Sequence, residues 1–384
     1  MCRMSGRACR VIGPFVLAAG VAAPLVAQEA PAVRVSGYYK NLLLRSETWA
    51  VEPYSLDVNR WRLELNAKLS SALSFDLHYD NEALLGSYLR TAQFTQQKDG
   101  PTPQYWQAQT NYLDQGSLYG VHRLYRAQLR AEWGNTTLRI GRQRIAWGTG
   151  RFWSPIDLLN PISPLALERE ERVGVDAVLV EQRFGPVARL VGVYVPSRQS
   201  GQTSRALQWH DNSHGVDYSV TVGRFRGDEV VGLDLASQLG SAGVRAEFSR
   251  ARPSQGRPYN RALLGMDYAF ANTLTLSAEL YHDSSGATHS AAYDFSALAT
   301  GRRQTLAQRY VGLRASYAVT PLLKLSGDLV LNLSDRSRYL APSAIYSLRT
   351  DLDVTIGWQV FGGAPGSELA RPPGAVHASV QWFF

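Results

Sequence analysis

The chain ends in AVHASVQWFF, residues 375–384, and this stretch decides the fold. Counted back from Phe384, every second residue is apolar: Trp382, Val380, Ala378 and Val376. A two-residue period is typical of a β-strand with one apolar face. We expect no tail after it, and the end of a soluble chain usually frays into water. The last strand of a transmembrane barrel pairs with the first and contacts lipid, so the stretch predicts such a barrel; an edge strand of a soluble sandwich is the alternative.

The N-terminus has the pattern of a secretory signal peptide over residues 1–27. A basic segment with Arg3, Arg7 and Arg10 precedes an uncharged apolar run over 11–26, which is short for a bilayer span. Both cysteines, Cys2 and Cys9, lie in this segment. The exported chain, 28–384, is therefore expected to be one domain without a disulfide, a thiolate metal site or a cysteine nucleophile.

The composition narrows the class of protein further. Hydrophobic residues make up 45% of the chain and the mean hydropathy is −0.20, without a long apolar run after the leader. This excludes a helical membrane protein and leaves a barrel or a periplasmic β protein. The formal charge of +8 includes three arginines of the leader, and the modest excess is compatible with an anion-preferring lumen. Basic runs interleaved with aromatics are missing from the sequence, so we expect no nucleic-acid partner.

Apolar and polar residues alternate through most of the chain. In 56–69, Trp61, Leu63 and Leu65 alternate with a dense set of charged residues that includes Arg60 and Arg62. Short Gly-, Asn- or Pro-containing turns alternate with long polar connections, as in an up-and-down antiparallel barrel with short periplasmic turns and long extracellular loops. The long connections are 86–117, 148–170, 197–215, 284–304 and 362–374.

About sixteen strands are predicted, with fourteen or eighteen as alternatives. The segment 216–239 is interpreted as one long bulged strand, although Arg226-Gly227-Asp228 could form a turn. The predicted strands begin near Val33, Leu56, Leu73, Leu118, Thr136, Arg172, Val187, Val216, Ala242, Asn260, Thr273, Leu306, Leu322, Ser343, Asp353 and Ala375.

The segment 138–161 is the strongest functional candidate. A strand rich in arginine runs into a glycine-rich bend, and Ser154-Pro155-Ile156-Asp157 has the pattern of a helix start. A loop this apolar should not remain in water, so we expect it to fold into the barrel and narrow the lumen. Packing over the rim is the alternative. The predicted constriction residues are Arg151, Phe152, Trp153 and Asp157.

Charged residues on the polar faces of neighbouring strands predict a lumen lined by arginines on one side and carboxylates on the other. The electric field between the two sides would favour dipolar or anionic solutes. The alternative is that these charges pair with each other and fill a polar interior. The predicted lining residues are Arg60, Arg62, Glu64, Asp76, Arg126, Arg130, Glu132, Arg139, Arg142 and Arg144.

The residues Gly141-Arg142-Gln143-Arg144 with Trp147-Gly148 resemble the strand-and-loop motif of Gram-negative outer-membrane porin-like barrels, including the alginate-export and substrate-specific porins. The C-terminal strand resembles the signal that the barrel-assembly machinery recognises, with Val380, Trp382 and Phe384 as its residues. The resemblance implies passive passage of a small polar or anionic solute through the outer membrane. It also implies contact with outer-membrane lipid and lipopolysaccharide. Sixteen-strand porins often form homotrimers, but the sequence shows no subunit face and does not decide this. The sequence predicts no metal and no other cofactor.

Two other functions are compatible with the sequence. A plugged barrel could act as a scaffold for export or assembly of a surface polymer, since the loops contain much apolar sequence. An outer-membrane hydrolase has less support: His210-Asp211 and His282-Asp283 are adjacent pairs that point apart on an extended chain. A nucleophile elbow and zinc-helix spacing are both missing from the sequence.

Overall fold

The computed structural model describes residues 32–98, 104–161, 163–168, 172–299 and 303–384. The predicted signal peptide, 1–27, lies outside these residues. Among the described residues there is no helix with the length and apolar character needed to cross a membrane.

Nineteen strands form one antiparallel sheet in the described part of the chain. Their bounds are β1 (Val33–Glu47), β2 (Pro53–Lys68), β3 (Leu73–Leu85), β4 (Gln109–Gln115), β5 (Leu118–Trp133), β6 (Thr136–Gln143), β7 (Val175–Phe184), β8 (Ala188–Val195), β9 (Ser204–Ser213), β10 (Val216–Phe225), β11 (Asp228–Leu239), β12 (Ala242–Arg252), β13 (Tyr259–Ala269), β14 (Thr275–Asp283), β15 (Arg309–Ala318), β16 (Leu323–Asn332), β17 (Arg338–Arg349), β18 (Leu352–Gly362) and β19 (Ala375–Phe383). The helices are α1 (Ala92–Lys98) and α2 (Phe295–Ala299), with 3-10 turns at Ser87–Arg90, Ser290–Ala292 and Glu368–Ala370.

The sheet closes on itself because β19 pairs with β1, from Tyr38 opposite Phe383 to Ser46 opposite Ala375. The main chains of Gly37 and Phe384 extend the closure by exchanging two hydrogen bonds of 2.9 and 3.0 Å. The pairing predicted from the C-terminal alternation is thereby confirmed. Closure leaves the last strand without a free edge, which is the condition for a barrel.

The barrel has eighteen strands among the described residues, because β4 is an accessory strand. It pairs only with β5, while β3 pairs directly with β5 as well. Eighteen was an alternative to the main expectation of sixteen. Two interpretations were wrong: 204–213 is a strand and not part of a loop, and 216–239 turns at Arg226 and Gly227 to form β10 and β11. Both corrections have one cause: β9 carries many polar residues and resembles a loop in sequence, and without β9 a turn at Arg226 would move every later connection to the other end of the barrel.

The two faces of the wall follow the alternation read from the sequence. On β2, Trp61 and Leu63 are 49% and 44% exposed on the outer face, whereas Arg62 between them is buried on the inner face. A bulge in β5 opposite His78 and Tyr79 shifts the alternation. It turns Arg123 to the inner face, where it pairs with Glu82. Short turns join the strands at one end, the short-turn end, and most long connections lie at the other, the long-loop end.

Candidate pore constriction

The connection between β6 and β7, residues 144–174 where described, lies inside the barrel, and we call it the inward loop. It crosses to the inner face of β11–β15, which we call the far wall. Its side chains Phe152, Trp153 and Ile156 are 1–2% exposed. Trp153 stacks on Tyr281 of β14 with ring centroids 5.3 Å apart. This placement agrees with the expected inward fold. Burial of such side chains removes apolar area from water and is the main force that holds the loop.

Two glycines of the far wall make room for the loop. A Cβ on Gly312 of β15 would lie 2.6 Å from Phe152 Cδ2, and one on Gly232 of β11 would lie 3.2 Å from Ile156 Cδ1. Real side-chain carbons do not approach to 2.6 Å, so the loop could not keep this position over any larger residue at 312.

Two buried glutamates of the far wall bind the main chain of the loop. Glu247 of β12 accepts hydrogen bonds from Thr149 N–H, from Gly150 N–H at 2.7 Å and from the Ser154 hydroxyl at 2.7 Å. Glu279 of β14 accepts hydrogen bonds from Arg151 N–H at 2.6 Å and from Phe152 N–H at 2.9 Å. Hydrogen bonds to ionised acceptors are about twice as strong as neutral ones, so these carboxylates act as latches.

The bend of the loop requires glycine at 148, which has φ +85°. A Cβ there would lie 2.2 Å from Ser154 Oγ. The predicted helix start at Ser154 was wrong, because the segment forms only a turn. Ser154 Oγ accepts the Asp157 N–H at 3.0 Å, as an N-cap would, but it also donates to Glu247. The prolines at 155 and 161 leave too few residues to offset the cost of helix nucleation.

The inner wall of β7–β12 is apolar at the long-loop end, and the first part of the loop covers it. Ile145 and Leu159 pack on Leu179, Val191 and Val193 and on further buried residues of these strands. The sequence carries a signal for this cover, since 177–180 and 190–195 are apolar at consecutive positions and not only at alternate ones. Such runs put apolar residues on both faces of a strand, so the inner face also needs an apolar cover.

The opposite wall, β1–β6, carries charged residues on its inner face, and many of them form ion pairs. Arg62 binds Asp80 through two bonds of 2.6 and 2.7 Å and stacks 3.8 Å from the centre of the Tyr125 ring. Arg60 bridges Glu82 at 2.7 Å and Glu168 of the inward loop at 2.9 Å. On this wall, the charged residues pair with each other, which was the alternative to an open lining of arginines.

Glu168 ties the inward loop to this charged wall. Besides Arg60, it binds Lys40 of β1 at 2.8 Å. Burial alone would raise the pKa of Glu168, but Arg60 and Lys40 outweigh it and lower the pKa to about 2. The loop is therefore held at both sides of the lumen, by cations on one wall and by carboxylates on the other.

A second group of arginines has no carboxylate at ion-pair distance among the described residues: Arg126, Arg139 and Arg144. Burial lowers the pKa of Arg144, and the nearby charges of Arg172 and Arg126 lower it further. Arg144 and Arg172 line a polar cavity of about 150 Å³ against the inward loop, together with Asp157. The lining of this cavity contains three guanidinium groups, those of Arg144, Arg151 and Arg172, and one carboxylate.

Asp157 is a carboxylate near Arg144. Its Oδ2 lies 2.6 Å from Nη1 of Arg172, and its Oδ1 accepts the Asn160 N–H at 3.3 Å. Burial raises the pKa of Asp157 to about 6 against the opposing effect of Arg172. The charge that balances Arg172 is therefore lost in mildly acidic solution.

The remaining predicted lining residues pair locally. Glu64 lies 3.1 Å from His78, and Asp76 accepts a hydrogen bond of 3.1 Å from Gln128. Arg130 pairs with Glu132 two residues further along β5. These contacts place them on the inner face but remote from the inward loop.

Arg142 is on the opposite face of β6 from Arg139, the face that carries Ile140. Its guanidinium binds Asp176 of β7 at 2.9 Å and the carbonyl oxygen of Leu124 at 2.8 Å. It also donates to the Trp106 carbonyl oxygen, in the segment before β4 that covers it. Because Ile140 is 45% exposed on the outer face, Arg142 belongs to the outside of the wall.

Further connections pack inward at the long-loop end. Tyr88 and Phe94 pack on Tyr119 and Val121 of β5. Glu368 accepts hydrogen bonds from Leu306 N–H and from the Asn332 side chain. Sequence reasoning identified the inward loop but missed its wall partners Glu247, Glu279 and Lys40, and it gave no role to the loop residues Glu168 and Arg172, because contacts between distant segments leave no local pattern. The described residues contain no cluster of three side chains suited to a metal ion.

Comparison with known proteins extends this description. No protein-family model and no curated protein sequence matches the chain. Among solved structures, OccK5 (OpdH) of Pseudomonas aeruginosa is similar with a TM-score of 0.60 and 10% identity, over 92% of this chain and 98% of that one. OccAB4 of Acinetobacter baumannii is similar with a TM-score of 0.57 and 8% identity, over 93% and 99%. The fold is therefore that of an outer-membrane porin-like barrel, as the sequence resemblance predicted.

Proposed function

We propose that this protein is an outer-membrane porin through which small hydrophilic solutes, polar or anionic, diffuse passively. The observation that carries the proposal is the position of the inward loop. It is latched to Glu247 and Glu279 on the far wall and leaves Arg126 and Arg144 facing the remaining space without a carboxylate partner among the described residues.

The arrangement can select by size and by charge. A loop bound at both sides keeps its position, so the passage has a defined narrow point instead of a fluctuating one. Arginines that are not neutralised raise the local concentration of anions and of solutes with a carboxylate or phosphate group. OccK5 and OccAB4 are compatible with this proposal at the level of fold only.

The test is single-channel current in a planar bilayer, with the reversal potential measured under a salt gradient on protein refolded in detergent. We expect stable conductance with anion preference. The double variant Arg126→Gln/Arg144→Gln should shift the reversal potential toward cations. Arg45→Gln removes the same kind of charge from an exposed position of β1, on the outer face with Leu43, and should leave the reversal potential unchanged.

A plugged barrel for export or assembly of a surface polymer is the second candidate. It is favoured by the aromatic clusters that other connections place at the long-loop end, such as Tyr88 with Phe94. Folded protein that conducts nothing would reject the porin and support the scaffold. An enzyme has less support: His210 contacts Ser219 at 3.1 Å, and Asp211 lies on the other face of β9.

The remaining partners are part of the same proposal. The porin would reach the outer membrane by a Sec-type signal peptide and the barrel-assembly machinery, which would bind the strand with Val380, Trp382 and Phe384. These three side chains are 40–47% exposed on the outer face, where a binding partner or lipid can reach them. A homotrimer would be seen as a threefold mass in detergent-corrected sedimentation.

A further inference from the structure

Four arginines lie on the outer face of three strands, β9, β10 and β12, at the long-loop end. Arg205 of β9 is directly opposite Arg224 of β10, and Arg252 of β12 is two residues from Arg250 on the same face. All four are exposed, and we call them the arginine row. Like charges directly opposite each other destabilise a sheet unless a counter-ion is present.

The row is weakly neutralised within the chain. Glu229 of β11 is opposite both Arg224 and Arg252. Its carboxylate lies 3.6 Å from Arg224, with the two side chains 57% and 49% exposed. One exposed pair of this kind contributes little, so most of the positive charge is available to an external anion.

An apolar groove begins directly beside the row. It has a volume of about 420 Å³ and includes Arg205 in its wall, and its other lining residues are Val178, Val180, Gly192, Val193, Tyr194, Ala206, Leu207 and Val222. Leu207 and Val222 are 51% and 52% exposed. The floor exists because residue 192 is glycine: a side chain at this position would stand between β7 and β9.

We propose that the arginine row and this groove together bind a phosphorylated, acylated glycolipid of the lipopolysaccharide class. The arginines would hold its phosphate groups, and the groove would hold one acyl chain. The inference rests on the proposed outer-membrane location, which puts the long-loop end in the leaflet that contains such lipids.

The chemistry favours this occupant over a second copy of the chain. Guanidinium groups bind phosphate through two parallel hydrogen bonds and remain charged at all relevant pH values. An apolar groove that continues from a row of cations matches a molecule with an anionic head and a hydrocarbon tail. A partner protein at this face would need a carboxylate-rich surface, and the outer face of this barrel is mostly apolar.

The test measures binding of purified lipopolysaccharide to the refolded full chain in detergent, by native mass spectrometry and by displacement of a fluorescent lipid. The row variant is Arg224→Gln/Arg250→Gln/Arg252→Gln. Its matched control is Arg45→Gln/Arg309→Gln/Arg349→Gln, which removes three exposed arginines that are dispersed over β1, β15 and the opposite end of β17. We expect the row variant to weaken binding at least about tenfold and the control to change it by less than about twofold.

The groove is tested separately with Gly192→Val. The added Cβ would lie 3.4 Å from Leu207 Cδ2, which is an ordinary contact, so the variant should fold. We expect weaker binding of lipopolysaccharide and unchanged binding of its deacylated form. If inorganic phosphate competes as well as the lipid does and Gly192→Val has no effect, the site binds a free anion and the lipid assignment is overturned.

Two other results would also overturn the assignment. One is an equal loss of binding in the row variant and in the dispersed control. The other is self-association of the wild-type chain that the row variant abolishes in sedimentation, which would make this face a subunit contact. Conductance is recorded for every variant. A conducting barrel that does not bind the lipid rejects this inference alone, and a lipid-binding barrel without conductance rejects only the proposed passage.

Discussion

The carboxylate of Glu279 on β14 accepts the main-chain N–H of Phe152 at 2.9 Å, across 127 residues of sequence. Glu279 is 1% exposed and Phe152 is equally buried. A carboxylate at this depth needs hydrogen bonds to remain charged, and the inward loop needs acceptors for its main chain. Each therefore supports the other, and the relation fixes the loop in the lumen.

The first prediction concerns the latches. Glu247→Ala removes the acceptor of four loop donors, and each lost hydrogen bond to a charged group costs about 1.5–3 kcal/mol. We expect higher single-channel conductance, more current noise and faster tryptic cleavage at Arg151. The control Glu229→Ala removes a carboxylate from the outer face of β11, away from the loop, and it should leave conductance unchanged. Equal conductance in both variants would contradict the latch.

The second prediction concerns the space for Phe152. Gly312→Ala places a carbon 2.6 Å from its ring and should destabilise the docked loop by about 1–3 kcal/mol. Thermal unfolding in detergent measures the loss, and Phe152→Leu in the same chain should restore part of it. Gly327→Ala is the control, because a Cβ at that strand position has no atom within 4 Å. A normal midpoint for Gly312→Ala would show that the loop is free to move away.

The third prediction concerns pH. Burial raises the pKa of Asp157 to about 6, so the docked loop favours the neutral carboxyl. The contribution of Asp157 to docking is therefore present in full below its ordinary pKa of 3.8 and is lost as the pH rises through 6. Below pH 6 the neutral carboxyl also leaves Arg172 unbalanced. We expect anion preference to increase as the pH falls from about 7 to about 5, measured as reversal potential.

Asp157→Asn should remove this pH dependence and give the stronger anion preference at every pH. Asp176→Asn is the matched control, since Asp176 also pairs with an arginine, Arg142, but on the outer side of the wall. A pH step that persists in Asp157→Asn would assign the titration to another group.

The fourth prediction concerns barrel closure. Phe384→Ala removes an outward aromatic that packs on Trp61 and Trp382, and we expect a lower yield of inserted barrel in cells. Phe383→Ala is the control, because Phe383 is on the alternate face and contacts Tyr38. The measurement is the heat-modifiable fraction in outer-membrane preparations. Equal yields from the two variants would contradict a specific role of the outward residues of the last strand in barrel assembly.

Several features could be predicted from residues alone because they depend on local periodicity. The alternation around Trp61 and Arg62 predicts which face of β2 each residue occupies. The alternation in 375–384 predicts that the last strand pairs with the first and closes the barrel. Strand number was less certain, because β9 is polar enough to resemble a loop. Arg226 and Gly227 have the pattern of a turn, but without β9 a turn there reverses every later connection, so the sequence alone favours one long strand.

The residues of the candidate site could be predicted from the sequence, but their arrangement in space could not. The sequence shows an apolar, glycine-bent loop beside arginines, and burial of its aromatics follows from the hydrophobic effect. Arg142 and Arg144 are two residues apart in sequence, yet Arg142 packs against the outside of the wall and Arg144 lines the cavity. The chain changes from strand to loop after Gln143, so strand alternation no longer relates the two positions.

The sequence by itself determined that this chain forms a closed antiparallel β-barrel and which loop enters it, because alternation and apolar content act over a few neighbouring residues. Only the tertiary structure decided which charges neutralise each other. Glu247 and Glu279 meet the loop because the barrel closes, which brings strands together that are about a hundred residues apart in the chain. Closure likewise left Arg144 near Arg172 and Arg126, and so created the arginine-lined cavity on which the proposed selectivity depends.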